Sequence, residues 1–312
     1  MAALICGSLA YDTIMVFPGH FREHILPDQV HILNVSFLVP QLRREFGGCA
    51  GNISYNLKML GGEALPMATV GDDFEPYRQR LDELGISRRY VRAVAGSYTA
   101  QAFITTDVDD NQITAFHPGA MSHSKMNQVR ETVGAKVGIV APDSKEAMMQ
   151  HSEQFAECGI PHIFDPGQGL PMFSGDDLKE CIERADWITV NDYEARLVSE
   201  RTGLSIEDIA QKVKAYIITR GPEGSEIYNS EGMTKIEPVQ PAKIVDPTGC
   251  GDAYRAGLLW GIMNDKGLVT AARMGSLLGS MKIECQGPQN HFLNKEAIVE
   301  RYQEAFGDSI TL

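Results

Sequence analysis

Two patterns alternate along the chain. Short, strand-length runs rich in Ala, Val, Ile, Leu and Thr give way to longer segments whose apolar side chains recur every three or four residues. "ALICGSLA", "ALPMATVG", "KVGIVAP", "PHIFDP", "WITVN" and "AYIITRG" are the strand-like runs, each bounded by turn-forming residues. "GNISYNLKMLGG" reads as a helix stopped by Gly61 and Gly62. "FEPYRQRLDELGI" places Phe74, Tyr77, Leu81 and Leu84 on one helical face. "SKEAMMQHSEQFAECG" and "SGDDLKECIERA" are further helices, and Ser174 with Asp177 suits an N-cap followed by an acid three residues on. This repetition predicts an α/β fold with a mostly parallel sheet flanked by helices on both faces.

Two stretches break the alternation. Residues 13–39 carry "TIMVF" and "VHILNVSFLV" around a polar loop. Residues 97–117 carry β-rich runs around "DVDDNQ", a hairpin signal that makes Asp109 and Asp110 turn residues and His117 part of the same small sheet. Neither stretch offers a crossover helix. The expected organisation is one domain over residues 1–312, with a small β-sheet lid from about 13–39 and 97–117 above the α/β core. Ligands of open α/β sheets bind beyond the carboxyl ends of the strands. "GSLAYD", "FDPGQ", "NDYE", "TRGPEG" and "DPTGCGD" are therefore expected on one rim, facing the lid.

Composition narrows the partners. The 312 residues are long enough for one large core, and 43% hydrophobic with 22% charged residues is a soluble globular composition. No apolar run is long enough to span a bilayer, and the N-terminus lacks the basic start of a secretory signal. A net charge of -13 argues against a nucleic-acid partner. It leaves room for a small phosphorylated ligand held by backbone amides. Cys6, Cys49, Cys158, Cys181, Cys250 and Cys285 show no C-x-x-C pair and no zinc spacing, which reads as reduced thiols of a cytoplasmic enzyme. The eight histidines show no ligand pairing.

The chemistry concentrates in "DPTGCGDAY", residues 246–254. Gly249 and Gly251 let the backbone curl ahead of a helical run, "AYRAGLLWGIM". The start of a helix offers unpaired N–H groups and partial positive charge, a natural place for phosphate. Asp252 is then either a helix-capping carboxylate or a base beside a bound phosphate. "GGCAGN" has three glycines in five residues, where a plain turn into a helix needs one, so a ligand is expected to approach closely. Asn52 can both donate to and accept from a sugar hydroxyl, and Asp12 can accept from a vicinal diol or stay a solvated turn acid.

Together these motifs resemble the ribokinase-like (PfkB) family of carbohydrate and nucleoside kinases, over nearly the whole chain. "DPTGCGDAY" is similar to the family's D-T-x-G-A-G-D-x-F, with Cys250 in place of Ala and Tyr254 in place of Phe. "GGCAGN" is similar to its paired glycines followed by Asn, and Asn191 with Glu194 to its N-x-x-E. "FHPGAM" (116–121) and "FDPGQ" (164–168) resemble the adenosine and nucleoside kinase branch.

The resemblance implies an ATP-dependent nucleoside kinase, adenosine kinase first, that moves the γ-phosphate to a ribose 5′-hydroxyl. It makes Asp252 the base, with the amides of Gly249, Cys250, Gly251 and Asp252 as the anion hole. It gives the 2′ and 3′ hydroxyls to Asp12, and the rest of the sugar site to Gly47, Gly48 and Asn52. Phe103 and Phe116 become platforms for a purine, with Met121 a soft apolar contact and Ser8 and Gln168 further pocket residues. Asn191 and Glu194 would organise Mg²⁺ through water, and Thr219, Gly221, Gly224 and Thr248 would line the ATP phosphates and ribose. The Asp246–Thr248 backbone would help bind a monovalent cation such as K⁺. A monomer and a homodimer both fit.

Each assignment has a bland counterpart. Phe103 and Phe116 can be strand core, Glu194 a first-turn acid, and Asp246 with Thr248 a plain turn. Three rivals remain at this stage. A kinase for free ribose or fructose would not need purine platforms. A dinucleotide-dependent oxidoreductase needs G-x-G-x-x-G after the first strand, which "CGSLAYD" lacks. A nucleotide sensor rests on fold alone.

Overall fold

A computed structural model describes residues 2–25, 35–109, 111–292 and 294–312. The first half contains β1 (Ala2–Cys6), β2 (Ala10–Val16), β3 (Gln41–Gly47), α1 (Cys49–Met59), β4 (Glu63–Val70), α2 (Glu75–Glu83), β5 (Tyr90–Ala93), β6 (Ala100–Thr106) and β7 (Gln112–His117). There follow β8 (Ala135–Val140), α3 (Lys145–Glu157), β9 (His162–Phe164), α4 (Gly175–Arg184), β10 (Trp187–Asn191), α5 (Asp192–Thr202) and α6 (Ile206–Ala210). The chain ends with β11 (Ala215–Thr219), β12 (Ser225–Asn229), β13 (Gly232–Ile236), α7 (Cys250–Met263), α8 (Leu268–Ile283) and α9 (Lys295–Phe306).

The large sheet has the order β13-β12-β11-β10-β9-β8-β1-β4-β5. From β11 to β5 its strands run parallel, and β12 and β13 add an antiparallel edge. β1 is buried along its whole length, as a strand covered on both faces should be. One helical layer packs Ile53, Leu57, Leu258, Leu277 and Ile298 against the sheet, and the other packs Phe155, Leu178, Ile182 and Val198. The α/β fold expected from the alternating pattern is the fold observed. Ser174 and Asp177 form the capping box that opens α4.

Strand order reverses at β1. The chain winds outward through β4 and β5, then returns on the other side as β8. Such a reversal opens a crevice at the carboxyl ends of the flanking strands.

The second sheet has the order β3-β2-β6-β7, with β2 and β6 parallel and the other pairs antiparallel. Its β6–β7 turn is tied by Asp107, whose Oδ1 accepts from the N–H groups of Asp109 and Asn111 and whose Oδ2 accepts from Phe21. Of the expected "VHILNVSFLV" run, residues up to 34 lie outside the described residues, as does Asp110. The described antiparallel partner of β2 is β3, beyond residue 39, and its charged, partly exposed sequence QLRREFG carries no apolar alternation to betray it. Phe17, Phe21 and Phe37 cluster with ring centroids 4.8–6.0 Å apart, giving this part of the chain an aromatic core of its own.

Helix α7 reaches the site because small residues let it lie close to α8. A Cβ placed on Gly257 would sit 2.4 Å from the Gly275 nitrogen, and one on Gly261 would sit 2.3 Å from Ala271 Cβ. Neither neighbour is a flexible side-chain end. Gly257→Val should therefore force the helices apart and destabilise the protein by about 1–3 kcal/mol, read as a lower urea midpoint. An unchanged midpoint would show that the crossing tolerates a side chain.

Candidate active site

The mouth of α7 is built by Asp246. Its Oδ1 accepts the Thr248 N–H at 2.9 Å and its Oδ2 accepts the Gly287 N–H at 2.8 Å, which folds residues 246–249 back on themselves. Gly249 caps the helix with a φ of 84°, in the left-handed region where a side chain is strained. The Cys250 N–H donates to Pro247 O at 3.1 Å. Among the described residues the N–H groups of Gly249, Gly251 and Asp252 have no backbone acceptor. The four-amide anion hole expected from the sequence is thus reduced to three, because Cys250 spends its amide inside the turn.

Asp252 lies in the first turn of α7, and its Oδ2 accepts from Asn52 Nδ2 of α1 at 2.8 Å. Asn52 is in turn fixed by Gln289, whose Nε2 donates to Asn52 Oδ1 at 2.9 Å and to the Tyr77 hydroxyl at 2.8 Å. The Tyr77 hydroxyl donates to Gly47 O, also at 2.8 Å. Burial pushes the Asp252 carboxyl up to about 6, with the Asn52 bond and Arg255 opposing and Asp165 and Asp12 adding to the rise.

Arg255, one turn further along α7, grips Asp165 through Nε at 2.7 Å and Nη2 at 3.1 Å, and both side chains are almost fully buried. Arg255 was not picked out from the sequence, and Asp165 only as part of "FDPGQ". The available signal was a lone arginine within an otherwise apolar helix.

Asp12 stands on β2 opposite Glu45, and its carboxyl is pushed up to about 6 by burial, then by Glu45 and Asp246. The glycines of "GGCAGN" correct the sequence expectation. A Cβ on Gly47 would fall 2.4 Å from Asp12 Oδ2, and one on Gly48 would fall 2.5 Å from Ser8 O. They make room for the protein's own atoms first. Gly47 in particular leaves space for the carboxylate that would face a diol. Ser8 is also largely committed: its Oγ accepts from the Cys49 N–H at 3.2 Å and its carbonyl from Ala50 at 3.0 Å, so it caps α1.

The two aromatics expected as purine platforms, Phe103 and Phe116, divide between two faces. Register pairs Asp12 with Ala102, and Ala102 with Phe116, so Phe116 shares a face with Asp12. Phe103 pairs with Thr13 and with Ala115, one position out of phase, and projects from the opposite face. Phe103 therefore cannot join Phe116 at one base. A lid strand's residue number says nothing of its face until the register is known. Met121 is half-buried in the short 3-10 segment after β7, and Gln168 is exposed in the one after β9.

On the neighbouring rim, Asn191 and Glu194 form a reciprocal capping box at the start of α5: Asn191 Oδ1 accepts from the Glu194 N–H, and Glu194 Oε2 from the Asn191 N–H. The bland first-turn reading is realised, yet Glu194 Oε1 takes no part in the box. Burial, then Asp165, pushes the Glu194 carboxyl up. A hard cation that keeps its waters fits one such oxygen. Thr219 ends β11 beside Asn191, and its hydroxyl donates to Val190 O at 3.3 Å. Gly221 and Gly224 follow with φ of 53° and 92°, while Arg220 pairs with Glu226 at 2.7 Å and is drawn away from the rim's centre.

Known proteins resemble this chain along nearly its whole length. The pfkB family carbohydrate kinase model matches residues 11–295. The Burkholderia thailandensis nucleoside kinase in complex with inosine superposes with a TM-score of 0.91 and 53% identity, over 99% of each chain. The nucleoside kinase of Methanocaldococcus jannaschii is 32% identical over 280 residues, covering 87% of this chain and 90% of that one. The adenosine kinase of Saccharomyces cerevisiae is 28% identical, covering 80% and 81%. The chain thus belongs to the pfkB family of carbohydrate kinases and is a phosphotransferase acting on a hydroxyl group.

Proposed function

We propose that the protein is an ATP-dependent nucleoside kinase acting on purine nucleosides, adenosine first, with the second sheet closing over the acceptor as a lid. The observation that carries this reading is Asp252, shielded to a pKa of about 6 and aimed by Asn52 beside three unpaired amides. The relative that was solved with inosine supports a purine nucleoside over a free sugar. Phe116, on the Asp12 face, supplies an aromatic surface for the base.

The ribose diol binds Asp12 and brings the 5′-hydroxyl to Asp252. As the 5′-oxygen bonds to the γ-phosphorus, the bond from that phosphorus to the bridging oxygen of ATP breaks, and the hydroxyl proton passes to Asp252. The Gly249, Gly251 and Asp252 amides hold the charge on the migrating group. Magnesium, when bound with the nucleotide, neutralises phosphate charge, and Glu194 would hold it through water. Thr219, Gly221, Gly224 and Thr248 line the nucleotide side, and a single positive charge beside the Asp246–Thr248 backbone completes the inventory. Six unpaired thiols suit a reducing cytoplasm.

An ATP-consumption screen over nucleosides and simple sugars should show turnover with adenosine and inosine. Turnover with ribose and with no nucleoside would overturn the assignment. Asp252→Asn should fold normally and lose about 10²–10⁴-fold in kcat, whereas wild-type turnover would remove Asp252 from the chemistry. Because the base must be ionised, kcat/KM should climb with pH and level off above the shared Asp252 and Asp12 value of about 6. A profile without that limb would contradict the role. Phe116→Ala should raise the nucleoside KM while Phe103→Ala leaves it near wild type. Equal effects from both would mean that the two faces are not distinguished.

A further inference from the structure

Lys282 is fully buried in the last turn of α8, behind the anion loop. Its ammonium donates to two main-chain carbonyls, Asp246 O at 2.7 Å and Cys285 O at 3.1 Å. The Asp246 carboxylate is committed elsewhere, to the Thr248 and Gly287 N–H groups. Arg43 of β3 comes within 4.0 Å of that carboxylate from the other side. Burial presses the lysine's pKa down and Asp246 opposes the fall.

A buried ammonium is costly, so its position needs a cause. A cation at a helix C-terminus accounts for the bond to Cys285 O. It does not account for the bond to Asp246 O, which reaches back to the first residue of the phosphate-facing loop. A cradle of main-chain carbonyls from two segments, closed to water, is the setting in which a dehydrated potassium ion is held. An ammonium group has nearly the same size and the same charge.

Building on the nucleoside-kinase reading, we propose that Lys282 is a positioning residue that supplies, as a fixed side chain, the monovalent cation which the Asp246–Thr248 backbone would otherwise draw from solution. It ties the end of α8 to the start of the anion loop and keeps a positive charge behind the three free amides. The loop is then set for phosphoryl transfer without potassium.

The test compares potassium chloride with choline chloride at equal ionic strength, in two readouts on the full chain: turnover of ATP with adenosine, and thermal unfolding without nucleotide. Wild type should give the same kcat and the same Tm in both salts. Lys282→Ala opens the cradle and should lose about 10²-fold in kcat in choline, with a smaller change in the adenosine KM. Potassium should restore most of that loss and raise the variant's Tm. Lys282→Met, which refills the space with apolar atoms, should lose kcat and gain nothing from potassium.

A several-fold potassium activation of wild type would overturn the proposal. So would a folded Lys282→Ala protein whose kcat and Tm both ignore potassium. If that variant fails to fold, the wild-type comparison still decides. If no nucleoside is turned over at all, the substrate reading has failed, and the unfolding series alone judges the cation site.

Discussion

The site depends on one contact, the hydrogen bond between Asn52 at the start of α1 and Asp252 at the start of α7. Two hundred residues separate the partners, and the bond exists because both helices enter the same layer and begin at the same crevice. Two helix N-termini aimed at one place add their partial positive charges. An acidic protein can in this way hold a highly charged phosphate chain without a cluster of exposed lysines. Gln289 and Tyr77 fix the Asn52 carboxamide, so the orientation of the Asp252 carboxylate is inherited from the core.

Charge at the site is arranged by pairing. Arg255 would hold Asp252 firmly ionised if it faced it alone. Its fork is instead taken by Asp165, which leaves a carboxylate that burial can lift toward neutrality. A base with a pKa near the working pH is the useful outcome. The cations that remain, Lys282 behind the loop and Arg43 beside Asp246, sit on the loop's own backbone and carboxylate, leaving the acceptor side to oxygen ligands.

Much of this was legible in the sequence, and the rest was hidden for physical reasons. The strand and helix runs appear where periodicity placed them, because burial on both faces of a parallel sheet leaves a strong apolar signal. The Ser174–Asp177 pair was read as a local cap and is one, whereas Asn191 and Glu194, read first for Mg²⁺, also close a local capping box. The "GGCAGN" glycines were readable as close approaches, although the sequence could not say that the approaching atoms are Asp12 and Ser8. Phe103 and Phe116 looked equivalent because face depends on strand register. Arg255 and Lys282 lie in mostly apolar helices and Asp165 in the turn after β9, and all three draw their meaning from partners remote in sequence. β3 escaped notice because a charged edge strand has no apolar pattern.

The central claim is that Asp252 accepts the acceptor's proton beside the free amides at the mouth of α7. The most direct measurement is a crystal structure of the full chain with adenosine, Mg²⁺, ADP and a planar fluoride mimic of the migrating phosphoryl group. The account requires the 5′-oxygen within hydrogen-bond reach of the Asp252 carboxylate, and the mimic on the Gly249, Gly251 and Asp252 N–H groups. A complex in which the 5′-oxygen meets another residue, or the mimic lies away from those amides, would contradict it.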